Sequence, residues 1–249
     1  MSNLAAVGLA VAIVLTIALL GPFESRVYRS DPDTPKKLLA YGLTAGLLWV
    51  LTGAAVRIEG WERLMANPAA GETWLCAPTM SGVVLGLAVV VYGIVGLMPL
   101  IQGMRGPRWR QAYAAAFRRA FAHIPGLMPN TRVERAAWVA LSLTAGICEE
   151  TLFRGFLIRF LRDSAPGLPL AAALLASSLM FGLAHLYQGL KGVVGATVGG
   201  IAFGLLFLLS GSLIACMALH ALLDLQMAYV LSAGAVPRQS RAALTPADP

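Results

Sequence analysis

Seven long apolar runs constrain this chain more than any other feature. They cover about residues 4–20, 38–56, 80–101, 136–161, 168–187, 192–209 and 213–231, and stretches carrying charge, proline or glycine separate them. About 20 apolar residues wound as a helix cross the ~30 Å hydrocarbon core of a bilayer. In lipid the backbone must satisfy its own hydrogen bonds, so such runs are helical. Only 12% of the residues are charged, against about 25% in soluble domains. The expected fold class is all-α: a polytopic transmembrane helix bundle of about seven spans, within a range of six to eight. No stretch reads as a separate soluble domain.

The charged loops orient the bundle. With the N-terminus outside, the inner loops and tail hold 14 of the 19 Lys and Arg residues, as the positive-inside bias requires. The first run has no basic residues before it and no clear cleavage site after it, so it is expected to be retained as a span. The net charge of +7 fits anionic headgroups, and no nucleic-acid partner is expected. Arg105 to Arg135 holds seven arginines, and within it "WRQAYAAAFRRAFAHI" sets aromatic and alanine positions against arginines at helical spacing. That pattern predicts an amphipathic helix at the headgroups; a re-entrant segment near 109–124 fits the same residues. Glycine pairs at small-xxx-small spacing, Gly42/Gly46, Gly82/Gly86, Gly195/Gly199 and Gly200/Gly204, are expected to let helices approach closely. The sixth run, richest in them, is expected to be buried among its neighbours. The three cysteines, Cys76, Cys148 and Cys216, lack paired spacing and read as apolar fillers. His123 reads as a surface or interfacial residue.

Ionisable residues inside apolar runs are expensive and mark function. The fourth run carries Glu149, Glu150 and Arg154, the fifth His185, and the seventh His220 and Asp224. Residues four apart share a helix face. Glu150 can therefore pair with Arg154, His220 shares a face with Asp224, and Phe181 can wall His185. Glu149 points about 100° away from Glu150, which leaves it free. Three chemistries suit such a set. Glu149 and His185 could activate a water while His220 and Asp224 polarise a carbonyl. Glu149, His185 and His220 could hold a zinc ion. The groups could also relay protons in a transporter, although no internal repeat supports that.

The motifs "EETLFR" (149–154), "FGLAH" (181–185) and "HALLD" (220–224) resemble those of the CAAX protease and bacteriocin-processing family, also called CPBP or Abi, whose signature is EExxxR, FxxxH and HxxxN/D. The resemblance covers about residues 134–232. It implies an intramembrane endopeptidase that needs no cofactor, with zinc as the alternative. By carry-over, Glu149 and His185 activate the water, His220 and Asp224 hold the oxyanion, and Glu150 and Arg154 support them. Asp224 stands where many members have Asn. An ionised Asp cannot donate to an oxyanion, so it must either carry a proton or orient His220. The implied partners are the bilayer and a membrane-anchored or lipidated protein or peptide. The implied activity is CAAX-type cleavage or bacterial peptide or sorting-signal maturation, in a bacterial or archaeal plasma membrane with a cytoplasmic C-terminus. A non-catalytic immunity or scaffold protein of the same fold is the alternative. The chain then divides into N-terminal spans with a basic interfacial segment (1–133), a catalytic bundle (134–232) and a disordered tail (233–249).

Overall fold

In the computed structural model, which describes residues 2–30, 33–69 and 80–232, every regular element is a helix. Six are long and apolar enough to cross a membrane. The chain forms the all-α polytopic bundle that its apolar runs predict. The tail from 233, Cys76 and its flanking residues lie outside the described residues.

Helix α1 (Ser2–Arg29) and α2 (Thr34–Glu59) form an antiparallel hairpin. The apolar run predicts a first span ending near residue 20, yet α1 continues through Gly21 and Pro22 for two more turns. Proline removes one backbone hydrogen bond, but Glu24 and Tyr28 are buried beyond it, and this packing outweighs the local break. Asp33 caps α2 by accepting from the Lys36 amide, as short polar residues do at helix starts. A single turn, α3 (Trp61–Met65), follows.

Helix α4 (Met80–Met104) contains Pro99. The gap that a proline leaves in the helical ladder is bridged from outside: the Gln226 side chain donates to the Gly96 carbonyl (2.8 Å) and accepts from the Leu100 amide (3.3 Å). Helix α5 (Pro107–Ala120) is the predicted amphipathic helix. Its buried Ala114, with Tyr113 and Phe117, packs against Met227, Tyr229, Val230 and Leu231. The segment after α5 folds back into the bundle, where Ile124, Leu127 and Met128 are buried. Its carbonyls are satisfied by side chains of α2: the Tyr41 hydroxyl donates to Leu127 O (2.7 Å) and Lys37 Nζ to Met128 O (3.1 Å).

Helix α6 (Arg132–Glu149) starts with a capping box between Thr131 and Glu134, in which each side chain satisfies the other's amide. It runs without a break into a π-helical stretch, Glu150–Leu157, and then α7 (Ile158–Ser164). The carbonyls disturbed by the wider winding find hydroxyl donors. Thr151 Oγ1 donates to Ile147 O (2.7 Å), and Ser177 Oγ donates to Phe153 O (2.6 Å).

Helix α8 (Leu170–Ala184) departs from the predicted span of 168–187. It has 15 residues, or about 22 Å at 1.5 Å per residue, short of a ~30 Å core. It ends where His185 turns out of helical geometry, and a 3₁₀ turn (Leu186–Gln188) leads into α9 (Gly189–Ser210). Gly189 makes that turn at φ +77°. Helix α10 (Leu213–Leu231) matches the seventh predicted run.

The π-helical stretch lies at the centre. Its Leu152, Phe153, Phe156 and Leu157 meet Leu9 and Ile13 of α1, Ala55 of α2 and Phe181 of α8 in one apolar core. Helix α4 closes the opposite side against α9 and α10. Glycines sit at close approaches between the helices. A methyl at Gly146 would stand 2.8 Å from Ala221 N and Met217 O, so α6 and α10 touch by backbone, and one at Gly200 would stand 3.0 Å from Ser178. The sixth run is buried at Gly199, Gly200 and Gly204 as expected. Gly42, Gly46, Gly86 and Gly195 meet no neighbour within 4 Å, so the spacing there serves no helix contact among the described residues. Cys148 and Cys216 are free and buried, as fillers would be.

Candidate active site

Three elements bring the predicted polar residues together. The junction of α6 with the π-helical stretch supplies Glu149, Glu150 and Arg154, the end of α8 supplies Phe181 and His185, and α10 supplies His220 and Asp224.

Glu150 and Arg154 form the innermost layer. Their side chains are 0% and 2% exposed, and Arg154 Nη1 donates to Glu150 Oε1 at 2.9 Å. The Arg154 guanidinium also lies 4.4 Å from the Phe181 ring centre and 5.5 Å from that of Phe203, a geometry that stabilises a desolvated cation. The pair expected from i, i+4 spacing is therefore present. The spacing did not announce a third member: His220 Nδ1 lies 2.7 Å from the same Glu150 oxygen. A carboxylate can only accept, so His220 donates from Nδ1 and its tautomer is fixed. Phe203 stacks on the His220 ring at 5.2 Å.

With Nδ1 held, His220 Nε2 faces outward between two carboxylates, Glu149 Oε2 at 3.7 Å and Asp224 Oδ2 at 3.8 Å. Exposure rises from the floor to the mouth: Glu150 0%, His220 8%, Glu149 16%, Asp224 39%. Glu149 Oε2 is buried and accepts no hydrogen bond. Such an atom costs about 1–3 kcal/mol if left unused, and functional sites are where native structures tolerate it.

His185 is partly buried, and its Nδ1 lies 2.9 Å from the Phe181 carbonyl. That carbonyl can only accept, so Nδ1 is the donor, and Nε2 is left with a lone pair. Phe181 is the hub: its ring centre lies 4.7 Å from His185, 6.0 Å from His220 and 5.2 Å from Phe153. Because α8 is short, His185 lies at the depth of this hub; on the longer predicted span it would sit well below Glu149. Among the described residues no hydrogen bond or ion pair joins Glu149 to His185. Among the described residues no three His, Cys, Asp or Glu groups form a cluster placed to hold a metal ion.

Residues 131–226 match the family model for Rce1-like proteins, type II CAAX prenyl endopeptidase Rce1-like. The resemblance read from the three motifs is thereby borne out over the α6–α10 segment that builds the site. No curated protein and no solved structure matches the chain.

The site also draws on residues outside the three motifs, which the motifs could not reveal. Tyr187 stacks on His185 at 6.0 Å, and Tyr28 of α1 packs on Tyr187 at 5.6 Å. One turn before Tyr28, Glu24 is 5% exposed and lies 2.7 Å from Thr44 Oγ1 of α2. Glu24 is also within electrostatic reach of Glu149. Continuing the first helix past Pro22 would have put Glu24 and Tyr28 on one face, four residues apart. Trp138 Nε1 donates to the Asp224 carbonyl (3.1 Å) and so fixes α10 beside the mouth. His123 is exposed, as expected, and its Nε2 donates to the Gln188 carbonyl at 2.9 Å.

Proposed function

We propose that this protein is an intramembrane endopeptidase that cleaves a membrane-anchored or lipidated peptide or protein with water activated by Glu149 and His185. The observation that carries the reading is Glu149 Oε2. It is an unengaged carboxylate oxygen 3.7 Å from an imidazole nitrogen, on a floor sealed by Glu150 and Arg154. The family match, whose description names an endopeptidase, supports the same reaction.

The roles follow from donors and acceptors. His185 donates from Nδ1 to Phe181, so Nε2 is the end that can take a proton. Glu149 and His185 do not bond to each other, so one water can lie between them and give up its proton as it attacks a peptide carbonyl. General-base help of this kind contributes about 10²–10⁴-fold. The proton then passes to the leaving amine. His220 is braced by Glu150 at Nδ1, and when protonated it presents Nε2–H to the carbonyl oxygen as charge builds there. Preorganised donors aimed at such an oxyanion are worth about 10²–10³-fold each. Asp224, one turn along α10 and 3.8 Å from Nε2, orients that ring. Phe181 and Arg154 hold the walls. No step uses a metal. The basic segment from Arg105 to Arg135 sets the mouth toward the cytoplasm by the positive-inside bias. The chemistry fits a CAAX-type or peptide-maturation substrate anchored in the membrane.

The test is purified protein in liposomes with a library of membrane-anchored peptides, comparing wild type with Glu149→Gln and with a zinc chelator added. Cleavage by wild type that resists chelation and falls at least ~10²-fold in Glu149→Gln, with an unchanged melting curve, is expected. Equal cleavage by the variant would overturn the assignment.

A further inference from the structure

The arginines of α5 have no role in that reaction, and they are arranged as a surface. Between Arg105 and Arg135 the sequence holds seven arginines and one acidic residue, Glu134. Glu134 is already committed: Lys37 Nζ lies 3.6 Å away, the Thr34 hydroxyl donates to it at 2.6 Å, and the Asn130 and Thr131 amides bond it. Among the described residues no carboxylate pairs with Arg105, Arg108, Arg119 or Arg132. All four are exposed.

Helix α5 sorts its residues by face. Ala114, Tyr113 and Phe117 turn to the bundle, and Arg110 spends its charge on the Tyr229 ring at 5.3 Å. Arg108 and Arg119 are eleven residues apart, about three full turns, so they point the same way from opposite ends of the helix. Exposed Ala112 and Ala116 lie between them. Trp109, 48% exposed with Arg105 over its ring at 6.0 Å, is the residue type that settles at headgroup level. The placement is forced by neighbours: α4 ends at Met104 and α5 starts at Pro107, so Arg108, the first arginine of the face, lies four residues past the end of a membrane-crossing helix.

We infer that α5 is a docking surface for the headgroups of anionic phospholipids, with Arg108 and Arg119 as its two main contacts. Charge complementarity selects this occupant, because exposed Arg108 and Arg119, which pair with no carboxylate among the described residues, meet phosphates when held at headgroup depth. The surface is coupled to the site through α10. Helix α5 grips Met227, Tyr229, Val230 and Leu231, the turns that follow directly on Asp224, so lipid bound to α5 steadies the helix that carries His220 and Asp224.

The experiment uses the full chain in nanodiscs of phosphatidylcholine alone and of phosphatidylcholine with equimolar phosphatidylglycerol. Native mass spectrometry counts the phosphatidylglycerol retained after extraction. Wild type is expected to retain it selectively. Each arginine near an anionic surface is worth roughly five-fold in affinity, so Arg108→Gln/Arg119→Gln is expected to lose about 25-fold, and less as salt rises. The control Arg57→Gln changes an exposed arginine on α2 and is expected to retain lipid as wild type does. Both variants should keep the wild-type melting curve in phosphatidylcholine, since glutamine is a good helix former. Equal retention by the double variant and wild type, or an equal loss in Arg57→Gln, overturns the inference. So does displacement by millimolar inorganic phosphate, which would make the site one for a free anion. None of these outcomes depends on cleavage.

Discussion

Replacing Glu150 and Arg154 singly and together tests the buried layer beneath the site. Both side chains are sealed, at 0% and 2% exposure, and 2.9 Å apart. Removing one member of a buried ion pair costs about 3–5 kcal/mol, because the other charge stays behind uncompensated. The two members are not equivalent. Arg154→Met leaves Glu150 with His220 still bonded at 2.7 Å, which places its cost near ~3 kcal/mol. Glu150→Leu strands Arg154 and the Nδ1–H of His220 together, which places its cost near ~5 kcal/mol. Simple addition would give roughly 8 kcal/mol. In Glu150→Leu/Arg154→Met no charge is left stranded, so the double variant is expected to cost ~2–3 kcal/mol less than that sum. Unfolding of the purified protein in mixed micelles, followed by far-UV circular dichroism against rising denaturing detergent, gives the four free energies. The double variant should recover stability yet cleave nothing, since His220 has lost its brace. Additive single costs, or Arg154→Met costing more than Glu150→Leu, would refute the picture of one buried carboxylate serving two partners.

Three further outcomes are expected. Asp224→Asn should keep cleavage within about ten-fold of wild type, because an amide can still orient His220 or donate to the oxyanion, whereas Asp224→Ala should lose ~10²-fold; similar rates for both would remove Asp224 from the site. Gly146→Ala puts a methyl 2.8 Å from Ala221 N and Met217 O, so it should cost ~1–3 kcal/mol in the same detergent titration and lower cleavage by parting Glu150 from His220. A fully stable and active variant would mean that α6 and α10 do not depend on this contact. Glu24→Leu should lower kcat with little change in KM if the first helix shapes the surroundings of Glu149. A change confined to melting temperature would make Glu24 a packing residue only.

The sequence and the structure agree where a single physical cause acts. Apolar runs alone locate α2, α4, α9 and α10 to within a few residues. The i, i+4 rule alone foresees Glu150 with Arg154, and His220 within reach of Asp224. The misses fall where tertiary contacts decide. Gly21 and Pro22 read as the end of a span, but burial of Glu24 and Tyr28 carries the helix past them. The fifth run is apolar to Tyr187, yet His185 leaves the helix and ends α8 early. No periodicity reveals that Glu150 serves His220, since that bond joins residues 70 apart. The π-helical winding over Glu150–Leu157 is likewise silent in the sequence, because hydroxyls from Thr151 and from Ser177 on another helix help sustain it.

The shortness of α8 also bears on the order in which the chain assembles. A 15-residue helix stops ~8 Å short of crossing the hydrocarbon core, and carbonyls left open there have no water to accept from. Alone, α8 is therefore a poor candidate for independent insertion. It becomes stable only when α9 lies along it at Gly200 and the π-helical stretch accepts the Ser177 hydroxyl. This length favours an order in which α6 and α7 insert first and α8–α9 follow as a hairpin against them, which would bring His185 after Glu149. Under the proposed function, a nascent chain that ends before α8 would hold Glu149 without the imidazole of His185.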